Sequence, residues 1–256
     1  MRTIALTGAT GNIGRAVRDR MEADGDRVIG VARHDAEVLA DLSTAEGRLT
    51  MVDAMREASD GVLDGVVAGA GVMAGHEALV QLNYFGAIAT LRGLRPLLAA
   101  GSSPSAIAIS SSSASAQPGI PEKLAELCLA EEEAAAIELA ASDPVGGYAA
   151  VKLAVSRWVR REATRPEWVG EGIRLNAVAA GLVWPPTRDD ELYDIFKSGG
   201  AFWIPMGRAA TPAEVADLIA YLLSPAAAYF CGANVVMDGG TEAAFRADDW
   251  PSVRLR

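Results

Sequence analysis

Short apolar runs alternate with longer stretches in which apolar residues recur every three or four positions, and the rhythm holds over most of the chain. Residues 3–6 (TIAL) read as a buried strand, and Ile13, Val17 and Met21 then mark one face of a helix. Further strands are predicted at residues 27–32 (RVIGVA), 36–39 (AEVL), 64–69 (DGVVAG), 105–110 (SAIAIS), 173–179 (IRLNAVA) and 234–238 (NVVMD), with helical patterns between them. Thr211-Pro212-Ala213-Glu214 opens a helix over 211–223, with Thr at the cap, Pro in the first turn and Glu three residues on. Strands that alternate with helices pair in parallel. The expected fold is therefore α/β: a single-domain, doubly wound, Rossmann-like parallel sheet of about seven strands spanning residues 1–256.

Two segments interrupt the rhythm. Residues 117–147 form a helical insertion after the fifth strand, with one helix expected over 121–141 and Glu131, Glu132 and Glu133 on a solvated face. Residues 184–205 concentrate Trp184, Tyr193, Phe196, Phe202 and Trp203 in a short stretch. Aromatics in such a segment suit the lid or wall of a site for an apolar substrate, although each could equally pack the lid onto the body.

Composition narrows the function. The net charge is −10, and the 23 basic residues are not clustered, which argues against nucleic acid and anionic membranes as partners. Cys128 and Cys231 have no metal-ligand spacing, so neither a zinc site nor a disulfide framework is expected. The chain enters a strand within three residues of its start, which leaves no room for a signal peptide, and no apolar stretch is long enough to span a bilayer. A soluble cytoplasmic protein is expected.

Gly8, Gly11 and Gly14 follow the first strand and open the first helix, where backbone amides and the helix dipole favour a pyrophosphate. Thr10, Asn12, Ile13 and Arg15 complete this candidate dinucleotide loop. At the end of the second strand, where an acidic residue would bind the ribose of NAD, the chain has Ala32-Arg33. Arg33, with Arg15, suits a 2′-phosphate and favours NADP; nearby Asp35 and Glu37 keep NAD as the alternative. Tyr148 and Lys152 stand four apart, one helical turn, which makes them a candidate proton-transfer pair.

Taken together, the loop, the parallel α/β order and the Tyr-Lys pair resemble the short-chain dehydrogenase/reductases along nearly the whole chain. The resemblance implies that Asp41 and Leu42 line the adenine, that Gly71 in Ala68-Gly69-Ala70-Gly71 replaces the end of an Asn-Asn-Ala-Gly motif, and that Asn83 is the structural and proton-relay asparagine. It places Ser111 as the catalytic serine, with Ser112, Ser113 and Ser115 as neighbours in the same run, and Asp238-Gly239-Gly240 at the end of the seventh strand. Gly181 and Val183 would border the nicotinamide. The chain departs from the family at Ala180-Gly181, which replaces Pro-Gly, and at Pro185, which replaces a threonine; Thr187 is the candidate substitute.

Residues 35–48, Asn83-Tyr84-Phe85-Gly86 and the insertion resemble the bacterial 3α-hydroxysteroid dehydrogenase/carbonyl reductase subgroup. That subgroup implies interconversion of a bulky hydrophobic secondary alcohol and ketone, with Tyr148 as acid/base, Lys152 lowering the tyrosine pKa together with oxidised nicotinamide, Ser111 holding the substrate oxygen and Asn83 a relay water. Dehydrogenation of aromatic, coniferyl-type alcohols is an alternative substrate class. A dinucleotide-sensing regulator on the same fold is a second reading, and a sugar-nucleotide epimerase or dehydratase is disfavoured by the short tail after the sixth strand. Family practice implies a homodimer or homotetramer.

Overall fold

A parallel strand covered on both faces must be apolar on both, and the predicted runs obey this. Seven strands form one parallel sheet in the order β3-β2-β1-β4-β5-β6-β7. The computed structural model describes residues 1–73, 75–185 and 203–249; Thr187, Tyr193, Phe196 and Phe202 of the expected lid lie outside the described residues. The strands are β1 (Thr3–Thr7), β2 (Arg27–Ala32), β3 (Val38–Leu39), β4 (Gly65–Ala68), β5 (Ser105–Ser111), β6 (Arg174–Ala180) and β7 (Asn234–Met237). β3 is shorter than its apolar run suggested, because its register with β2 covers only Val38 and Leu39.

Alternation along β1 assigns the two cores. Ile4 and Leu6 point to the layer of α1 (Asn12–Ala23) and α9 (Pro212–Leu223), where they meet Val28, Val178, Val215 and Ile219. Ala5, Ile29 and Val66 point to the opposite layer, built on α2 (Ala45–Ala58), α4 (Ala87–Leu98) and α8 (Pro144–Glu162), with Leu91, Leu94, Val151 and Val155. Strand order reverses between β1 and β4, each the other's neighbour, so the carboxyl ends of these two strands open the crevice in which such sheets bind ligands.

Caps fix where the site-bearing helices begin. The Thr211 hydroxyl accepts from Glu214 N at 3.2 Å, and the Glu214 carboxylate accepts from Thr211 N at 2.8 Å, a full capping box at the predicted start of α9. Asp143 caps α8 by accepting from Gly146 N at 2.8 Å, which sets the phase of the helix that carries Tyr148 and Lys152.

The insertion corrects an expectation. Residues 121–141 form two helices, α6 (Glu122–Leu129) and α7 (Glu133–Ser142), instead of one. Between them Glu131 adopts a left-handed φ of 64°, Glu131 N donates to Cys128 O and Glu132 N donates to Leu127 O, each at 3.0 Å. This is the double bond pattern that ends helices, usually at glycine. The break lets Leu124 and Cys128 on one helix and Ala136 and Ala140 on the other all reach the core. The acidic run is correspondingly not a plain solvated face: Glu131 pairs with Arg92 at 2.9 Å and Glu133 with Arg48 at 2.6 Å.

Candidate active site

The loop after β1 is shaped by what glycine lacks. Gly8 has a φ of 74° and donates its N–H to Val31 O at 2.9 Å, tying the loop to β2. A Cβ on Gly8 would stand 2.8 Å from Ala70 Cα, and one on Gly14 would collide with the Gly8 carbonyl. α1 therefore starts hard against the loop, with Gly11 at its cap and no side chain there to satisfy its first amides. Those free amides and the crevice position fit the pyrophosphate of a dinucleotide.

Across the crevice, the Thr7 hydroxyl accepts from Gly69 N at 3.1 Å and from Ala70 N at 3.2 Å. Thr7 thus anchors the Ala68-Gly69-Ala70-Gly71 turn without either asparagine of the family motif. Sequence reasoning missed this role; a buried threonine at the last position of an apolar strand was its signal. Asn83 lies in a π turn (Gln81–Gly86) between α3 (His76–Val80) and α4. Its side chain accepts from Val72 N and donates to Val72 O, each at 2.8 Å, so it clamps the chain just after Gly71. A Cβ on Gly71 would stand 2.9 Å from Asn83 Oδ1 and 3.7 Å from Lys152 Nζ, so this glycine keeps the clamp and the lysine close together.

β5 and α8 bring the catalytic candidates into contact. Ser111 closes β5, and its hydroxyl is near enough to the Tyr148 phenol to pull the phenol's pKa downward. Ser111 Oγ also accepts from Ser113 N at 3.2 Å and Ser113 Oγ at 3.0 Å, which leaves its own proton available to the phenol oxygen. Lys152 Nζ donates to Ile109 O at 2.8 Å and lies 5.8 Å from the centre of the Tyr148 ring. Beneath them, Ser110 Oγ donates to Lys152 O at 2.9 Å and lies 2.7 Å from Ser156 Oγ, which donates to Asn234 Oδ1 at 3.2 Å. This chain of hydroxyls holds α8 to β5 and β7 and was not anticipated from the serine run.

Burial acts on both titrating groups, in opposite directions. It raises the Tyr148 pKa above the ordinary tyrosine value, with the Ser111 hydroxyl pulling the other way, and it lowers that of Lys152 to about 8. The Lys152 ammonium is itself desolvated and donates to the Ile109 carbonyl. The neutral phenol is the form that donates a proton in the reductive direction.

At the other end of the crevice, Arg33 and Arg15 are exposed, and neither side chain makes a hydrogen bond or ion pair within the described residues. The Ser43 hydroxyl at 2.7 Å and amide at 3.0 Å hold the Asp41 carboxyl below its usual pKa, helped by the charge of Arg33. Glu37 is already committed: Arg18 grips it at 2.7 and 2.9 Å, Gly30 N donates to it at 2.8 Å, and the guanidinium holds its pKa down to about 2. After β6, Gly181 N donates to Met237 O at 2.9 Å, and a Cβ there would stand 2.7 Å from Asp238 Cα. Val183 and Trp184 pair with Ala210 just before α9. Trp203 is half exposed and borders a cavity of about 210 Å³ with Leu182 and Ile204; Trp203 and Trp184 are the two expected lid aromatics among the described residues.

Known proteins share this architecture. Residues 4–178 match the NAD dependent epimerase/dehydratase family, and residues 134–242 match the family described as enoyl-(acyl carrier protein) reductase. Both matches include Tyr148 and Lys152. The 3-alpha-hydroxysteroid dehydrogenase/carbonyl reductase of Comamonas testosteroni is 39% identical over 96% of this chain and 98% of its own length. The chain belongs to the short-chain dehydrogenase/reductase family. Among solved structures, the 3-alpha-hydroxysteroid dehydrogenase of Pseudomonas sp. B-0831, complexed with NADH, is 39% identical with a TM-score of 0.86, covering 97% of this chain and 100% of that one. RhlG of Pseudomonas aeruginosa, in a complex with NADP, is 25% identical with a TM-score of 0.75, covering 94% of this chain and 96% of that one.

As a short-chain dehydrogenase/reductase, the protein is an oxidoreductase of the hydroxysteroid dehydrogenase/carbonyl reductase type that works with a nicotinamide dinucleotide. The bound cofactor supplies or accepts hydride. The crevice amides, the glycine-lined turn and the Lys152 ammonium, one of whose N–H groups bonds Ile109 O, fit such a molecule. No helix among the described residues is long and apolar enough to cross a membrane.

Proposed function

We propose that the protein interconverts a bulky, hydrophobic ketone and its secondary alcohol, of the steroid or aryl carbonyl kind, with NADP preferred over NAD. The grouping of Tyr148 and buried Lys152, 5.8 Å from the centre of the phenol ring, beside Ser111 at the end of β5 carries this reading. Tyr148 gives its proton to the alkoxide oxygen that forms when the carbonyl carbon is reduced, and Ser111 hydrogen-bonds the same oxygen. Lys152 restores the phenol's proton balance and offers its remaining N–H groups to the cofactor ribose. Asn83, by holding Val72, keeps the neighbouring backbone in place for a relay water. Trp184 and Trp203 supply apolar surface for the substrate.

Exposed Arg33 and Arg15, with Glu37 sequestered by Arg18, support the NADP preference; the NADH complex of the Pseudomonas relative supports NAD as the alternative. Residues 1–256 work as one catalytic domain, in a cytoplasmic homodimer or homotetramer. A panel of steroid ketones, aryl carbonyls and coniferyl-type alcohols assayed with NADPH and NADH tests the whole reading. Turnover of hydrophobic ketones with NADPH is expected, with Arg33→Ala selectively raising the KM for NADPH. Absence of turnover with every compound favours a dinucleotide sensor, and equal or faster rates with NADH overturn the role of Arg33.

A further inference from the structure

We propose that the helical insertion serves the adenine end of the cofactor site, with Glu133 acting through Arg48 as a positioning residue for the loop around Asp41 and Leu42. The proposal rests on the reading of that loop as the adenine wall. Arg48 lies in the first turn of α2, and its guanidinium is nearly buried, with 11% of the side chain exposed. Nε donates to Leu42 O at 3.0 Å, and Nη2 donates to Ser43 O at 3.0 Å and to Gln81 O at 3.3 Å. The fork then closes on Glu133 of α7, with Nη1 to Oε2 at 2.9 Å and Nη2 to Oε1 at 2.6 Å. One face of the guanidinium lies 5.4 Å from the centre of the Phe85 ring.

One cation thus joins three segments far apart in sequence: the adenine loop, the π turn that carries Asn83, and the insertion. The loop has little else to hold its carbonyls in place. Its internal bonds, Ser43 to the Asp41 carboxylate and Thr44 to Asp41 O, set its local shape and the Leu42 side chain is buried in the core, while Arg48 bonds the Leu42 and Ser43 carbonyls. Contact with the π turn is close, since a Cβ on Gly86 would stand 3.1 Å from Leu42 O, so movement of either segment is felt by the other. Glu133 neutralises a guanidinium that would otherwise be a desolvated charge shared among carbonyls, and its two oxygens fix the plane of the fork. Without it, Arg48 is free to tilt toward water and to release Leu42 and Ser43.

The test measures binding of ADP-ribose, and of 2′,5′-ADP as a second probe, by calorimetry on the full-length wild type, Glu133→Gln and Arg48→Lys. KM for the dinucleotide, kcat at saturating dinucleotide, and circular dichroism are measured alongside. The expected result for folded Glu133→Gln is a probe Kd raised roughly tenfold, a KM for dinucleotide raised in parallel, and a kcat within about twofold of wild type. Arg48→Lys, which keeps the charge and loses the fork, is expected to move the same way and is read by the same criteria should Glu133→Gln not fold. Glu133→Asp is expected to recover part of the affinity. Unchanged probe binding in the folded variant, or a loss of kcat without a change in Kd, overturns the proposal alone. Wild-type protein that binds neither probe overturns the adenine-loop reading, and this assignment with it.

Discussion

Replacing Lys152 by methionine should make the ligand-free protein more stable while destroying the site. Lys152 is 5% exposed, and burial lowers its pKa from 10.5 to about 8. A drop of that size means that the folded state holds the proton less tightly than the unfolded chain, a destabilisation of about 3 kcal/mol at neutral pH. Methionine keeps most of the stem's volume and removes the charge. It also leaves Ile109 O without the 2.8 Å donor, at a cost of about 1–2 kcal/mol. The net expectation at pH 7 is a gain of about 1–2 kcal/mol. The sign with pH follows from a lysine whose folded pKa lies below its unfolded one: the penalty is full below pH 8 and fades as pH rises through 8 toward 10.5, because only the unfolded chain still holds the proton across that window. Urea unfolding of both proteins at about pH 7 and about pH 9.5 measures this directly. The variant's advantage should shrink to about zero at the higher pH, where the remaining penalty of about 1–1.5 kcal/mol is close to the cost of the lost bond to Ile109. A variant less stable than wild type by the same amount at both pH values would refute the claim that Lys152 is held at the cost of folding energy.

Gly14→Ala should abolish dinucleotide binding, measured by fluorescence titration, because its Cβ collides with the Gly8 carbonyl; affinity within a factor of three of wild type would contradict the loop geometry. Thr7→Val strands two amides of the turn after β4 and should cost about 2–4 kcal/mol in urea unfolding. Thr211→Ala removes the capping-box hydroxyl and should cost about 1 kcal/mol in the same assay, with dinucleotide binding unchanged.

The sheet was legible because each strand has an apolar run at its centre, as at residues 28–31, 66–68 and 106–109. Strand β2 matched its predicted bounds, and the Thr211 cap stood where the Thr-Pro-Ala-Glu pattern put it. Tyr148 and Lys152 were legible for a local reason, their single-turn spacing, whereas Ser111 came from the family resemblance and lies one residue past the strand predicted over 105–110. What escaped was set by contacts distant in sequence. Nothing in the run Ala130-Glu131-Glu132 announces a helix end, since all three are good helix formers; the left-handed Glu131 lets both flanking helices bury their apolar faces, with Glu131 paired to Arg92 and Glu133 to Arg48. Likewise Glu37 read as a possible ribose ligand until Arg18, 19 residues earlier, proved to hold it. The Thr7 anchor and the Ser110-Ser156-Asn234 chain are small polar residues whose partners only the fold supplies.

Tyr148→Phe isolates the central claim, since it removes one oxygen and keeps the ring that packs beside Lys152. Steady-state reduction of a hydrophobic ketone, measured together with dinucleotide binding, should show turnover lowered by about 10²–10⁴ or more with cofactor affinity within about twofold of wild type. Substantial ketone reduction by the variant would contradict the assignment of Tyr148 as the proton donor.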